Sequence, residues 1–275
     1  MKNKLFDLSN KVSVITGGNG GIGLGIAEGL ASSGCNVAIL GRNEEKNQLS
    51  KDLLEKFGTK IEAYKVDVSD EKDVKNIITK VINDFGRIDS VFANAGINIY
   101  GGSFEEMDTD AYRKVLSVNL DGVFFTLRET CKHMVERAKN GDPGGSVVGV
   151  ASLAGIEGAA KTQPYSASKG GVRAMIKGIT VEHARYGIRA NTIVPGWIAT
   201  DMTAESQNSE KFTNKVITRV PMRRWGEPKD FAGIAVYLAS DSSSYHSGDT
   251  FVVDGRYLNG KFAAGTTLTA GSNFT

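Results

Sequence analysis

Cysteine is scarce in this chain: Cys35 and Cys131 are the only two among 275 residues. Both fall within apolar stretches and read as buried free thiols, so neither a disulfide framework nor a redox pair is expected. Histidine is nearly as sparse. His133, His183 and His246 lie far apart without ligand spacing, which argues against a metal site. Excess charge is missing as well. The 33 basic and 31 acidic side chains leave a net +2, too little to mark a nucleic-acid or membrane surface. No apolar run approaches the roughly 20 residues that span a bilayer, and Met1-Lys2-Asn3-Lys4-Leu5-Phe6-Asp7 lacks the apolar segment of a secretory signal. A cytoplasmic location is expected. Internal repeats and low-complexity linkers are also absent, so residues 1–258 are taken as one domain, followed by a tail, 259–275, rich in Gly, Ala and Thr with no clear period.

What the chain does have is a glycine cluster, Thr16-Gly17-Gly18-Asn19-Gly20-Gly21-Ile22-Gly23. A short apolar run, 12–15, precedes it and an amphipathic stretch, 24–33, follows. Strand, glycine turn and helix form the setting in which such a cluster holds a phosphate. Glycines let the turn fold tightly and a pyrophosphate approach the backbone, and the helix offers unpaired N–H groups and its positive dipole end.

The same alternation continues. Strands are predicted at 36–40, 61–66, 89–93, 146–150, 188–194 and 250–253, and helices at 44–57, 71–85, 108–137 with a break near Asn119, 163–186 and 229–238. Residues 200–220 are polar and ambiguous. Short strands alternating with helical patterns mean βαβ units, and continuous apolar strands mean a sheet covered on both faces. The expected fold is α/β: a single-domain, doubly wound parallel sheet, Rossmann-like, of about seven strands with helices on both faces.

In such sheets ligands bind beyond the carboxyl ends of the strands. Those ends carry Thr16-Gly17, Gly41-Arg42-Asn43, Asp67-Val68 and Asn94-Ala95-Gly96. A carboxylate after the second strand would hold a ribose 2′-hydroxyl. Here Arg42 stands instead, with a guanidinium suited to a 2′-phosphate. NADP(H) is therefore preferred as cofactor, with NAD(H) as the alternative.

Tyr165-Ser166-Ala167-Ser168-Lys169 opens a helical stretch. Residues i and i+4 share a helix face, so phenol and ammonium can enter one site. A cation that lowers the phenol by ~2 units would raise its ionised fraction at neutral pH from roughly 0.1% to roughly 10%, making it a workable acid–base group. Ser152 follows the preceding strand, where a hydroxyl faces the ligand crevice. Asn119 interrupts a helix, where a polar side chain can bind water or a freed carbonyl.

With these residues in order, the chain resembles the short-chain dehydrogenase/reductase family over roughly residues 8–257. The likeness rests on Thr16-Gly17-x-x-x-Gly21-Ile22-Gly23, Asp67-Val68, Asn94-Ala95-Gly96, Asn119, Ser152, Tyr165-x-x-x-Lys169, Pro195-Gly196 and Thr200. It implies that Tyr165 is the general acid/base and that Ser152 hydrogen-bonds the reacting oxygen. Lys169 would hold the nicotinamide ribose and lower the Tyr165 pKa, while Asn119 would support a water-mediated proton relay. It further implies adenine contacts at Asp67 and Val68, contacts along the cofactor at Asn19, Asn94, Ala95 and Gly96, and nicotinamide contacts at Pro195, Gly196, Ile198 and Thr200. Family habit adds a homotetramer with helices 108–137 and 163–186 at an interface. Two positions depart from the habit: Ala151, often Ser, and Arg256, where a second Gly usually follows Gly255.

The resulting expectation is an oxidoreductase that interconverts a secondary alcohol and a ketone, the substrate being a polyol, sugar acid or 3-oxoacyl compound. The competing reading is a non-catalytic nucleotide sensor on the same scaffold. Substrate contacts are expected from 97–102, 156–163 and a lid at about 197–220. Trp197 and Met202 could form an apolar wall there, and Glu157, Lys161 and Gln163 could bind hydroxyl or acid groups.

Overall fold

The computed structural model describes residues 4–258, and the tail at 259–275 lies outside the described residues. The strands are β1 Val12–Thr16, β2 Asn36–Gly41, β3 Ile61–Lys65, β4 Ser90–Ala93, β5 Gly145–Val150, β6 Ile188–Pro195 and β7 Thr250–Val253. They form one sheet of order β3-β2-β1-β4-β5-β6-β7, with every neighbouring pair parallel.

The helices are α1 Gly21–Ser32, α2 Glu44–Glu55, α3 Glu71–Phe85, α4 Thr109–Leu116, α5 Gly122–Lys139, α6 Ala154–Glu157, α7 Gln163–His183, α8 Ala204–Asn208, α9 Glu210–Arg219 and α10 Ala232–Ala239. Strand periodicity assigns side chains alternately to two cores. Ile15, Val37, Ile39, Phe92 and Val148 pack with Ile26 and Leu30 of α1 and Leu238 of α10. Val14, Ala38, Leu40, Val91 and Val147 pack on the other face with Val74, Leu127 and Ile176 of α3, α5 and α7. Each large side chain fully withdrawn from water stabilises the fold by about 1.5–3 kcal/mol. Cys35 and Cys131 belong to these cores. Burial raises both thiols, Cys131 to about 12, as expected of inert packing residues.

Helix starts follow their capping chemistry. Asn43 accepts the Lys46 N–H, and Asp70 accepts those of Lys72 and Asp73. α3 stops at Gly86, where φ is 81°. The break expected near Asn119 is a π-turn, Ser117–Asp121, that joins α4 to α5. The ambiguous segment 200–220 is helical. Ser209 caps α9 by accepting the Phe212 N–H, and only Val216 of that helix is buried, so its pattern offers little periodicity to read. After β7, Gly255 and Arg256 have φ of 59° and 76°. The backbone at Arg256 is left-handed, a conformation that a glycine would adopt without strain. Asp254 secures the turn by accepting the N–H groups of Arg256 and Leu258 at 2.7 Å.

The amino end of the sheet carries a buried charge cluster. Asp89 accepts the Val12 N–H and two nitrogens of Arg87, with Arg137 at 3.5 Å. Beside it, His133 Nε2 accepts the Ile88 N–H at 3.2 Å, which requires the neutral ring. Burial, then the Arg137 charge, lowers the His133 pKa below 6.5, against smaller opposing effects of Glu136 and Asp89. The unfolded chain therefore takes up this proton first as pH falls. The contribution is whole above about 6.5 and is lost below it. Urea titrations should show wild-type stability falling as pH drops below about 6.5 by more than that of His133→Gln, which keeps an acceptor without the titration. Parallel curves would refute the assignment.

Candidate active site

β1 lies between β2 and β4, so the chain departs to opposite sides at its carboxyl end and opens a crevice there. Gly17 turns at φ 64° and Gly21 at φ 49°. A β-carbon on Gly23 would lie 2.1 Å from the Gly17 carbonyl oxygen, so the turn closes only without a side chain at 23. Unlike α2, α3 and α4, α1 has neither a side-chain cap nor an acidic residue in its first turn, which leaves its dipole end free for an anion.

Two sets of contacts hold this turn. Thr16 Oγ1 accepts the N–H groups of Asn94 and Ala95 at 3.0 Å, and the Asn94 amide donates to the carbonyls of Thr16 and Gly17 at 3.0 and 3.3 Å. Asn94 thus acts on the cradle itself. On the other side, Asn19 donates to Asn47 Oδ1 at 2.6 Å, while Asn47 donates to the carbonyls of Gly41 and Tyr64. A β-carbon at Gly41 would lie 2.3 Å from Asn19 Nδ2 and 2.5 Å from Asn47 Oδ1. Sequence reasoning missed Asn47 and the Thr16 hydroxyl. The available signal was a polar residue at a buried position of α2 and a hydroxyl at the end of a buried strand.

Gly17, Asn19, Gly41, Arg42, Val68, Ala95, Gly96 and Ile97 line the crevice, six of them among the residues expected at the nucleotide. Asn43 stands at its corner as the α2 cap, and Ile22 packs its side chain toward the core. Burial opposes the charge on Asp67. Hydrogen bonds from the Ser69 hydroxyl and N–H, then the charges of Arg42 and Lys114, outweigh it and hold the carboxyl below its ordinary value. A tight turn, an open helix end and a basic corner fit a dinucleotide phosphate chain.

The catalytic candidates converge at the far end. Gly149 admits α7 onto the sheet, since a β-carbon there would lie 2.8 Å from Val172. α6 packs on α7 through Gly155, whose β-carbon would lie 2.8 Å from the Gly170 nitrogen. These contacts bring Ser152, whose hydroxyl accepts the Ala154 N–H at the start of α6, to Tyr165. Lys169 Nζ donates to the Val150 carbonyl at 2.8 Å and sits 5.7 Å from the Tyr165 ring centre. Asn119 exchanges hydrogen bonds with both backbone groups of Ile97 at 2.8 Å. A β-carbon on Gly96 would lie 3.3 Å from Asn119 Oδ1 and 3.4 Å from Lys169 Nζ, so both groups face the same stretch of backbone.

The electrostatics depart from expectation. Burial, though incomplete over the residue as a whole, raises the Tyr165 phenol. A hydrogen bond from Ser152 works against this, and Tyr100 adds to it. The Lys169 ammonium donates to the Val150 carbonyl beside the ring. Its own burial brings Lys169 down to about 8.

Other expected residues have different surroundings. Gly196 packs on the turn after β7, where a β-carbon would lie 2.6 Å from Asp254 Cα. Pro195 ends β6, Ile198 is buried, and the Thr200 methyl group lies 3.1 Å from where a Gly21 β-carbon would sit. The Trp197 ring packs edge-on to Phe212, Trp225 and Tyr257. Arg219 holds the Glu157 carboxylate, and Gln163 Oε1 is buried without a donor. Among the described residues no cluster of three His, Cys, Asp or Glu could hold a metal, and no helix is long and apolar enough to cross a membrane.

The family profile described as Enoyl-(Acyl carrier protein) reductase matches residues 17–257. The chain is 38% identical to the NADP-dependent (R)-specific alcohol dehydrogenase of Lentilactobacillus kefiri, over 91% of this chain and 97% of the relative. It is 34% identical to gluconate 5-dehydrogenase of Gluconobacter oxydans, over 91% and 96%. Among solved structures it superimposes on a gluconate 5-dehydrogenase from Burkholderia cenocepacia in complex with NADP and tartrate. That match has a TM-score of 0.87 and 32% identity, over 93% of this chain and 98% of that one. Crevice, constellation and likeness agree: the chain belongs to the short-chain dehydrogenase/reductase family and is an oxidoreductase acting on CH–OH or keto groups.

Proposed function

We propose that this oxidoreductase interconverts a secondary alcohol and a ketone, with Tyr165 as its proton donor and acceptor and NADP(H) as its preferred cofactor. The convergence of Tyr165, Ser152 and Lys169 beside Gly96, which lines the crevice behind the glycine turn, carries the reading. A bound nicotinamide would supply or accept the hydride.

The remaining chemistry belongs to the chain. With its phenol raised by burial, Tyr165 holds its proton at neutral pH and is ready to donate it to a carbonyl oxygen. Ser152 orients that oxygen and steadies the phenolate left behind. Lys169, at about 8, is still largely a cation at neutral pH and offsets the phenolate's charge. In alcohol oxidation the same groups work in reverse, the phenolate taking the hydroxyl proton. Asn119 fixes Ile97 and so the wall facing Lys169. Arg42, with no acidic residue at 41–43, favours a 2′-phosphate. The L. kefiri relative is NADP-dependent by name, which supports the preference. Exposed Phe124 on α5 and Val181 on α7 support a homo-oligomer, and a cytoplasmic location completes the proposal. A sensor without catalysis would have no use for the full constellation.

Tyr165→Phe is expected to cut kcat by about 10³-fold while leaving the dinucleotide Kd, read by calorimetry, nearly unchanged. Substantial residual turnover with a panel of polyols, sugar acids and 3-oxoacyl thioesters would remove Tyr165 from its role. Arg42→Ala should weaken NADPH by about tenfold or more and NADH far less; equal losses would cancel the cofactor preference.

Lys169 supplies a test by stability. Its folded pKa of about 8 lies below the unfolded value of 10.5, so between these values the unfolded chain binds more protons and stability rises with pH. The buried charge costs about 3 kcal/mol near neutrality. Without cofactor, wild type should gain thermal stability relative to Lys169→Met as pH rises from about 7 to about 9.5. A pH-independent difference in Tm would refute the buried cation.

A further inference from the structure

Residues 197–226 leave the sheet and return to their starting point. Ile198 and Gly226 form a parallel bridge, and Gly226 exchanges backbone hydrogen bonds with Trp197 and Ala199 at 2.9 Å. The loop so closed is fastened at two charged points. On the nucleotide side, next to the contact of Thr200 with the glycine turn, Asp201 pairs with Lys46 of α2 at 2.7 Å. On the catalytic side, Arg219 Nη2 at the end of α9 pairs with Glu157 Oε2 at 3.0 Å. Glu157 ends the one-turn helix whose first residue, Ala154, donates its N–H to the Ser152 hydroxyl. The loop therefore bridges the crevice from the phosphate cradle to the catalytic serine.

The two fastenings are unequal. Lys46 and Asp201 are 54% and 88% exposed, where an ion pair holds weakly. Arg219 and Glu157 are 38% and 27% exposed. Arg219 also donates to the Tyr257 hydroxyl at 2.9 Å and lies 4.0 Å over its ring, and stacking and hydrogen bonding together fix a guanidinium far better than charge alone.

We propose that the Arg219–Glu157 pair, braced by Tyr257, is the end wall of the substrate pocket and restricts it to compact ketones and alcohols, excluding long acyl chains. This rests on the alcohol–ketone reading above. A long chain extending past the reacting carbon must separate Arg219 from Glu157, whereas a compact polyol leaves the pair intact.

The test compares kcat/KM for a six-carbon keto-polyol and a long-chain 3-oxoacyl thioester in wild type, Arg219→Met, Glu157→Gln and the swap Glu157→Arg with Arg219→Glu. Acrylamide quenching of tryptophan is measured in parallel, because Trp197 and Trp225 are the only two tryptophans and both belong to this loop. Wild type should favour the compact substrate. Arg219→Met should shift the ratio toward the thioester by about tenfold or more, keep the compact rate within about threefold, and raise quenching. The swap should restore the ratio. Unchanged ratio and quenching in Arg219→Met, with turnover intact, overturn the wall alone. So does a loss of compact turnover in Glu157→Gln that Arg219→Met does not reproduce, since that would put Glu157 on the substrate. Absence of turnover by wild type on either substrate and on the wider ketone panel overturns the alcohol–ketone reading and the wall with it.

Discussion

Four hydrogen bonds join the carboxyl ends of β1 and β4, and the rest of the site hangs on them. Thr16 Oγ1 receives two backbone N–H groups, and the Asn94 amide reaches back to the two carbonyls opposite. Where the chain reverses its direction of travel across a sheet, two strand ends would otherwise splay with their polar groups unpaired. Here the separation is fixed, and with it the turn at Gly17 and the position of every N–H group that follows. A threonine and an asparagine, rather than the glycines, determine the width of the crevice.

The catalytic end is built on an opposite principle. A lysine is enclosed, held to a carbonyl at 2.8 Å, and made less basic by its surroundings. This destabilises the fold, as enclosed charge does unless it is well partnered. The small residues Gly149 and Gly155 let α6 and α7 approach closely enough to impose it. The π-turn at Ser117–Asp121 brings Asn119 against Ile97, completing the wall. Both features lie in the backbone of helices that pack tightly on the sheet, so the reactive groups inherit the rigidity of the core.

Much of this was legible in the chain. Strand runs such as 12–15 and 36–40 announced themselves because both their faces are apolar, and the helix expected at 71–85 is α3. The order of the motifs located the reactive groups. What escaped was nonlocal. The pairing of Asn47 with Asn19 depends on two loops meeting. The surroundings of Trp197 depend on residues 15 to 60 positions away, Phe212, Trp225 and Tyr257. Helices α8 and α9 eluded periodicity because so little of them is buried. The rise of the Tyr165 phenol escaped for a related reason: i to i+4 spacing shows that an ammonium is near, and only the fold shows how far the hydroxyl is withdrawn from water.

Gly41 carries a consequence for descent within such enzymes. A β-carbon there would meet the amide ends of Asn19 and Asn47, and those side chains must turn aside to admit it. Doing so takes from the carbonyls of Gly41 and Tyr64 the donor that Asn47 now supplies. A lineage that enlarges this strand end therefore loosens the join of α2 to β2 and β3 before it alters the choice of dinucleotide.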